Sequence, residues 1–213
     1  FPLLNPAGSD SAIFDNCLEF LSLSGRSLPH AAMMMVPEPW NKHESMTKSK
    51  RDFYEFHSMI MEPWDGPAAM AFTDGKIVAA MLDRNGLRPS RYYVTKQGQV
   101  ILASEAGVLD IDPSDIISKE RLRPGRMLII DTEQQKIIAD DEIKESMAKE
   151  HPYGKWIKNN LLKLEDLNLG SDLKTDAANN STFHEILTSQ RVFGYTYEDL
   201  TCVLMPMVKD GVE

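Results

Sequence analysis

Three short segments combine residue types that could do chemistry. In the first, Asn5-Pro6-Ala7-Gly8-Ser9-Asp10-Ser11, hydroxyls and a carboxylate stand just ahead of an apolar pattern. Such groups cap a helix by accepting its unpaired first-turn N–H groups, or hold a cationic ligand. The second, Asp83-Arg84-Asn85-Gly86-Leu87-Arg88-Pro89, follows an apolar run. Its Asn85-Gly86 pair permits the left-handed backbone of a tight turn, and the two arginines and Asp83 either line a cleft or simply pair. The third, Ala103-Ser104-Glu105-Ala106, closes another apolar run. There Ser104 and Glu105 either polarise a site or cap the next turn. On residue types alone, capping and ion pairing account for all three.

Other chemistries leave no trace. No G-x-x-x-x-G-K-[ST] or G-x-G-x-x-G is present, so nothing marks a nucleotide-phosphate loop. His30, His43, His57, His151 and His184 are scattered and no C-x-x-C occurs, so no metal site can be assembled. With 23 Lys+Arg against 32 Asp+Glu the formal charge is −9, which argues against a nucleic-acid partner. The densest basic cluster, Lys48-Ser49-Lys50-Arg51, opens a helical pattern and reads as a solvated face. No run approaches the ~18 apolar residues of a membrane helix, and the start has no charged n-region of a signal peptide. Cys17 and Cys202 lie far apart, each inside a helical pattern, so a disulfide framework is not expected. A cytoplasmic location follows as the expectation.

The elements that must position these residues follow from periodicity. Ser9 and Asp10 open a helix in which Ile13, Phe14, Cys17, Leu18 and Leu21 recur at three- and four-residue spacing, with Gly25 as its stop. A second helix runs from Pro29 through Met33-Met34-Met35 to Val36, and a third carries Phe53, Phe56, His57 and Ile60. The period then changes to that of strands. Ala68–Phe72 and Ile77–Leu82 are joined by Asp74-Gly75, a two-residue hairpin signal. Tyr92–Thr95 with Val100–Ala103, and Met127–Ile130 with Lys136–Ala139, make two more hairpins. The unbroken apolar run of Ile77–Leu82 predicts a strand covered on both faces. Helices followed by antiparallel hairpins give an α+β class with layered packing.

A boundary is expected near residue 140. Beyond it Asp141–Asn160 is polar and helical, Leu161–Leu169 is leucine-rich, and Ser171–Ser181 reads as a linker. Two helical patterns follow, Phe183–Arg191 and Tyr197–Lys209, the latter with Thr196 as N-cap, Pro206 as a kink and Gly211 as a stop.

Taken together and in order, Gly8-Ser9-Asp10-Ser11, Glu62-Pro63-Trp64-Asp65-Gly66-Pro67-Ala68, Asp83–Pro89 with Ser90-Arg91-Tyr92, and Ala103-Ser104-Glu105 resemble a known family. They are similar to the later part of the glutaminase domain in the large subunit of glutamate synthases, class II glutamine amidotransferases with an N-terminal-nucleophile hydrolase fold. The D-x-x-G-x-R-P and S-E elements recur across class II amidotransferases. E-P-W-D-G-P-A followed by D-R-N-G-L-R-P-S-R-Y is specific to glutamate synthases. Leu204-Met205-Pro206-Met207 with Gly211 resembles the start of the central region of those enzymes.

The resemblance implies a partial αββα layered sandwich over residues 1–140, then a helical linker and the start of the central domain over 141–213. It implies hydrolysis of L-glutamine to glutamate and ammonia, the ammonia being channelled to reductive amination of 2-oxoglutarate. FMN, an iron–sulfur cluster and a small subunit would belong to the whole parent protein, with no cofactor in this segment. The family's nucleophile is an N-terminal cysteine, and its oxyanion donors also align ahead of Phe1. Cys17, on an apolar stripe, reads as a buried thiol. By this mapping the chain is an interior segment without a catalytic residue or metal ligand of its own, and is inactive alone. Asp10 matches the aspartate that binds the α-ammonium of glutamine, Ser9 helps to position it, and Asp83–Pro89 is scaffold. Two other readings are a non-catalytic binding or scaffold module of amidotransferase-like fold, and an intact small protein that docks a partner through Met33–Met35.

Overall fold

The computed structural model describes residues 4–5, 7–163, 166–167 and 182–211. They divide into two compact units, residues 1–161 and 162–213. No helix among the described residues is long and apolar enough to cross a membrane.

The first unit opens with three helices, α1 (Asp10–Leu23), α2 (Leu28–Met35) and α3 (Lys48–Ser58). Each begins at a hydroxyl cap: Ser9, Ser27 and Thr47 accept from the N–H groups of Ala12, His30 and Lys50. Helix α2 is apolar on every face but the one that carries His30, and all its residues are buried. Met33–Met35 therefore lie in the core, and the partner-docking role open to them on sequence is ruled out. The basic cluster that opens α3 also departs from expectation. Lys50 is buried, reaching Asp141 at 3.3 Å, and the Arg51 guanidinium donates to the His43 carbonyl at 2.7 Å. Only Lys48 behaves as a solvated charge.

Seven strands follow: β1 (Ala69–Thr73), β2 (Ile77–Leu82), β3 (Arg91–Thr95), β4 (Val100–Ala103), β5 (Ile116–Arg121), β6 (Met127–Asp131) and β7 (Lys136–Ile138). They form a four-stranded antiparallel sheet in the order β1-β2-β6-β7 and a three-stranded sheet in the order β4-β3-β5. The expected hairpins are present. The β1–β2 link differs in detail: it spans Asp74–Lys76, because the Asp74 carboxylate accepts from the N–H groups of both Lys76 and Ile77 at 2.9 Å. Strand β5 has no counterpart in the sequence reading. Its Ile-Ile start gives way to Ser-Lys-Glu-Arg, and it lies on a sheet edge with Ile117 exposed, so neither alternation nor an apolar run announces it.

Alternate residues of β2 and β6 enter two different cores. Ala79, Met81, Met127 and Ile129 pack with the helices. Ala80, Leu82 and Leu128 pack with Leu122, Tyr92 and Val100 of the smaller sheet and its flank. The central strand is covered on both faces, as its composition requires, and the layers run helices, large sheet, small sheet. This is an α+β arrangement.

Helices α4 (Asp140–Lys149) and α5 (Tyr153–Asn160) complete the first unit. The boundary expected near residue 140 falls inside this unit. The polar look of 141–160 hides a buried edge: Lys144, Ala148 and Tyr153 are enclosed, and Phe56, Tyr153 and Trp156 form an aromatic cluster with His57.

In the second unit α6 (Phe183–Val192) starts at a reciprocal cap between Thr182 and Glu185. Thr196 caps the next helix, exchanging hydrogen bonds with Asp199. That helix runs as π-type turns over Asp199–Leu204 and then as α7 (Met205–Asp210), ending at left-handed Gly211. The widened turns lie just ahead of Pro206, whose missing N–H breaks the regular ladder. The expected linker Ser171–Ser181 lies outside the described residues.

Candidate functional site

An open cleft of about 1220 Å³ lies between α1 and β1, lined among others by Ser9, Asp10, Phe14, Trp64, Pro67 and Arg88. Three of the four motif segments singled out in the sequence meet there. Ser104 and Glu105 do not line it; they are exposed past the end of β4.

At the start of α1 the capping role falls to Ser9. Its hydroxyl accepts the Ala12 N–H at 3.4 Å and lies 3.2 Å from the Ser11 hydroxyl. Asp10 is the first helical residue, exposed in the cleft, and its carboxylate takes no hydrogen bond from any described residue. The positive end of the α1 dipole favours the negative charge there without consuming its acceptor capacity.

The tryptophan motif forms the opposite wall. Trp64 donates its backbone N–H to the Met35 carbonyl at 2.6 Å and packs edge-on against Phe14, ring centroids 5.1 Å apart. Asp65 pairs with Arg84 at 3.0 Å, and the Ala68 N–H donates to the Asp83 carboxylate at 3.0 Å. The two motifs that look specific to one enzyme family are thus halves of a single structure.

Asp83 proves to be the organiser of its loop. Buried at the end of β2, it pairs with neither arginine; its carboxylate accepts the N–H groups of Ala68, Asn85 and Leu87. Burial pushes its pKa up, but the backbone donors, Ala68, Leu87, Asn85 and Gly86, outweigh this and hold it below the ordinary aspartate value. Its own carbonyl accepts from the N–H groups of Gly86 at 3.0 Å and Gly125 at 3.1 Å. Gly86 is left-handed, φ +62°, and a β-carbon on it would stand 2.5 Å from Pro124 Cγ. The 123–126 turn therefore clasps the loop that carries Arg88 into the cleft.

That turn is held from behind by a buried ammonium. Lys144, 0% exposed, donates to the Gly125 carbonyl at 2.7 Å, to Asp140 at 2.9 Å and to the Glu38 carboxylate. Asp140 also accepts the Met127 N–H at 2.7 Å and the Arg126 guanidinium at 2.6 Å. Nothing in the sequence points to Lys144, which sits among charges in a polar helix. Its role comes from partners outside that helix, the Glu38 carboxylate and the Gly125 carbonyl, added to Asp140 one turn back.

Cys17 is half-buried on α1, its thiol pKa raised by burial, and Cys202 is exposed in the second unit; both are free. Neither lines the cleft. Among the described residues no group of three or more His, Cys, Asp or Glu could hold a metal ion. The two cysteines offer no ligand set for an iron–sulfur cluster.

Comparison with known proteins fits this geometry. The chain is 48% identical over 210 residues to the glutamate synthase [NADPH] large chain of Bacillus subtilis, covering 99% of this chain and 13% of that protein. It is 42% identical over 214 residues to ferredoxin-dependent glutamate synthase 2 of Synechocystis, covering 100% of this chain and 13% of that protein. It is 38% identical over 218 residues to glutamate synthase [NADH] of Schizosaccharomyces pombe, covering 100% and 10%. The chain thus spans about an eighth or less of the length of these relatives. The family model for class-II glutamine amidotransferases matches residues 1–156, which takes in the cleft, both sheets and the clasp behind them. By that match the chain belongs to the class-II glutamine amidotransferases.

Proposed function

We propose that the first unit is part of a glutaminase site in which Asp10 binds the α-ammonium of L-glutamine, within a glutamate synthase. The observation that carries this reading is the division of labour at the start of α1. Ser9 caps the helix, which leaves both Asp10 oxygens open to the cleft. A carboxylate so placed selects a free amino acid over a glutamine residue inside a chain, which has no ammonium. Ser9 keeps Asp10 in place through the cap.

In this reading the nucleophilic cysteine and the oxyanion donors come from outside residues 1–213, as the resemblance implies, and the αββα sandwich of N-terminal-nucleophile hydrolases is completed there. The ammonia released passes on to reductive amination of 2-oxoglutarate. FMN and an iron–sulfur cluster supply that electron transfer in the whole protein, and no step is assigned to them on this chain. A small subunit is the expected protein partner, and the cytoplasm the expected location.

The test is Asp10→Asn in the full-length protein. Loss of a charge-assisted hydrogen bond, about 1.5–3 kcal/mol, corresponds to about a 10- to 150-fold rise in KM for glutamine. Because Ser9 is the cap, the melting temperature should hardly move. Ser9→Ala should do the reverse, costing about 1 kcal/mol of stability with a smaller change in KM. An unaltered KM for Asp10→Asn would remove Asp10 from the substrate site.

A further inference from the structure

A second cluster lies on the far side of the helical core, between α2, α3 and the α4–α5 turn. His30 and His57 are 5% and 4% exposed, and their Nε2 atoms are 3.1 Å apart. His57 Nδ1 is 2.7 Å from the Phe53 carbonyl, and His30 Nδ1 is 3.3 Å from the Glu150 carboxylate. These contacts fix where protons can be. A carbonyl only accepts, so His57 Nδ1 carries a hydrogen, and Nε2 of a neutral His57 offers a lone pair. His30 must then donate from Nε2, which leaves its Nδ1 lone pair facing an ionised carboxylate. The other tautomer of His30 satisfies Glu150 but sets two ring lone pairs against each other in a buried site. With both rings neutral, either choice leaves one repulsive contact. One added proton satisfies every contact, since an imidazolium at His30 donates both ways.

We propose that His30, His57 and Glu150 form a one-proton switch: protonation at His30 ties the α4–α5 turn to the buried α2–α3 contact, and loss of that proton frees Glu150 to swing into solvent. Glu150 is suited to this, its side chain being 47% exposed while the rings are enclosed. The groups facing the pair are Phe53 and His57 on α3, Arg26 ahead of α2, Glu150 and His151 in the turn, and Tyr153 on α5. Burial lowers the His30 pKa. Glu150 raises it, Arg26 and His151 oppose, and the balance stays below the ordinary value. Burial lowers the His57 pKa to about 4, although its bond to Phe53 resists. The added charge sits on His30, the ring beside the Glu150 carboxylate, on the acid side of the ordinary histidine value.

The test follows the five histidine rings by NMR across pH 4–8 in the whole chain, together with amide-exchange protection factors at Glu150, His151 and Tyr153. Acidification should titrate His30 and raise protection at the turn. In Glu150→Gln an amide N–H can donate to His30 Nδ1, completing the chain without an added proton. Its His30 midpoint should fall by a further unit or more, a tenfold or greater loss of proton affinity, and turn protection should become independent of pH. Glu150→Ala should also lower the midpoint, but with the turn unprotected at every pH. A wild-type turn indifferent to pH, or the same His30 midpoint in wild type and Glu150→Gln, would overturn the switch. Glu150 is half-exposed, so both variants are expected to fold.

Discussion

Substituting alanine at Gly86 separates two costs that are usually mixed. Gly86 and Gly98 are both left-handed, at φ +62° and +77°. A β-carbon at Gly98 meets nothing within 4 Å, whereas at Gly86 it would lie 2.5, 3.0 and 3.1 Å from Cγ, Cβ and Cα of Pro124. Gly98→Ala should therefore cost only the left-handed backbone term, about 1–2 kcal/mol. Gly86→Ala adds an overpacking term of about 1–3 kcal/mol. Pro124 cannot move away freely, because the next residue, Gly125, bonds to both Asp83 and Lys144. The sum is about 2–5 kcal/mol, or about 4–20 °C in Tm for a chain of this size, against about 2–8 °C for Gly98→Ala. Urea denaturation and thermal melts of the two variants measure the difference. Pro124→Ala in the Gly86→Ala background removes the 2.5 Å contact and should return part of the loss. Equal losses at the two glycines would refute the clasp between the loop and the 123–126 turn.

Lys144→Met should cost about 3–5 kcal/mol by urea denaturation, because it takes the buried ammonium from Glu38 and Asp140, leaves the Gly125 carbonyl without its donor, and leaves Asp140 only Arg126 and the Met127 N–H; a loss under about 0.5 kcal/mol would contradict the buried network. Asp83→Asn should cost about 1–3 kcal/mol at neutral pH, the amide offering one acceptor oxygen where the carboxylate offered two. Since the native Asp83 pKa lies below its unfolded value, the stabilisation is complete above about pH 4 and fades as pH falls through the native pKa. The gap between wild type and variant should narrow on acidification over that range, and a constant gap would mean that the charge is irrelevant.

The sequence made legible what depends on local pattern. The caps at Ser9 and Thr196, the three hairpins and the double burial of β2 all follow from residue type and period. Asp10 was legible as a candidate site only through the surrounding motifs, because its chemistry is equally that of a helix start. Other features needed the third dimension. Lys50, Lys144 and Asp83 look like surface charges, and each is buried with a partner from another element: Asp141 for Lys50, Glu38 for Lys144 and the Ala68 N–H for Asp83. The His30–His57 pair is invisible for the same reason, its rings brought together by the crossing of α2 and α3. Strand β5 escaped because an edge strand carries little of the apolar signal that marks a central one.

The nesting of the two sheets also bears on the order in which the chain folds. Strands β2 and β6 pair from Ile77↔Asp131 to Met81↔Met127, and the whole of the small sheet lies between them in sequence. Joining β2 to β6 directly from the unfolded chain means closing that long loop, an entropic cost that must be met before the pairing gives anything back. The small sheet has nearer neighbours to join, and the bond from the Gly125 N–H to the Asp83 carbonyl brings the two ends of the excursion together. With that bond in place, β2 and β6 emerge side by side and zip with almost no loop left to close. Gly86→Ala, whose β-carbon pushes on Pro124 and so on the neighbouring Gly125, should therefore slow refolding in stopped-flow measurements as well as lower stability, whereas a loss confined to the unfolding rate would place the clasp late in folding.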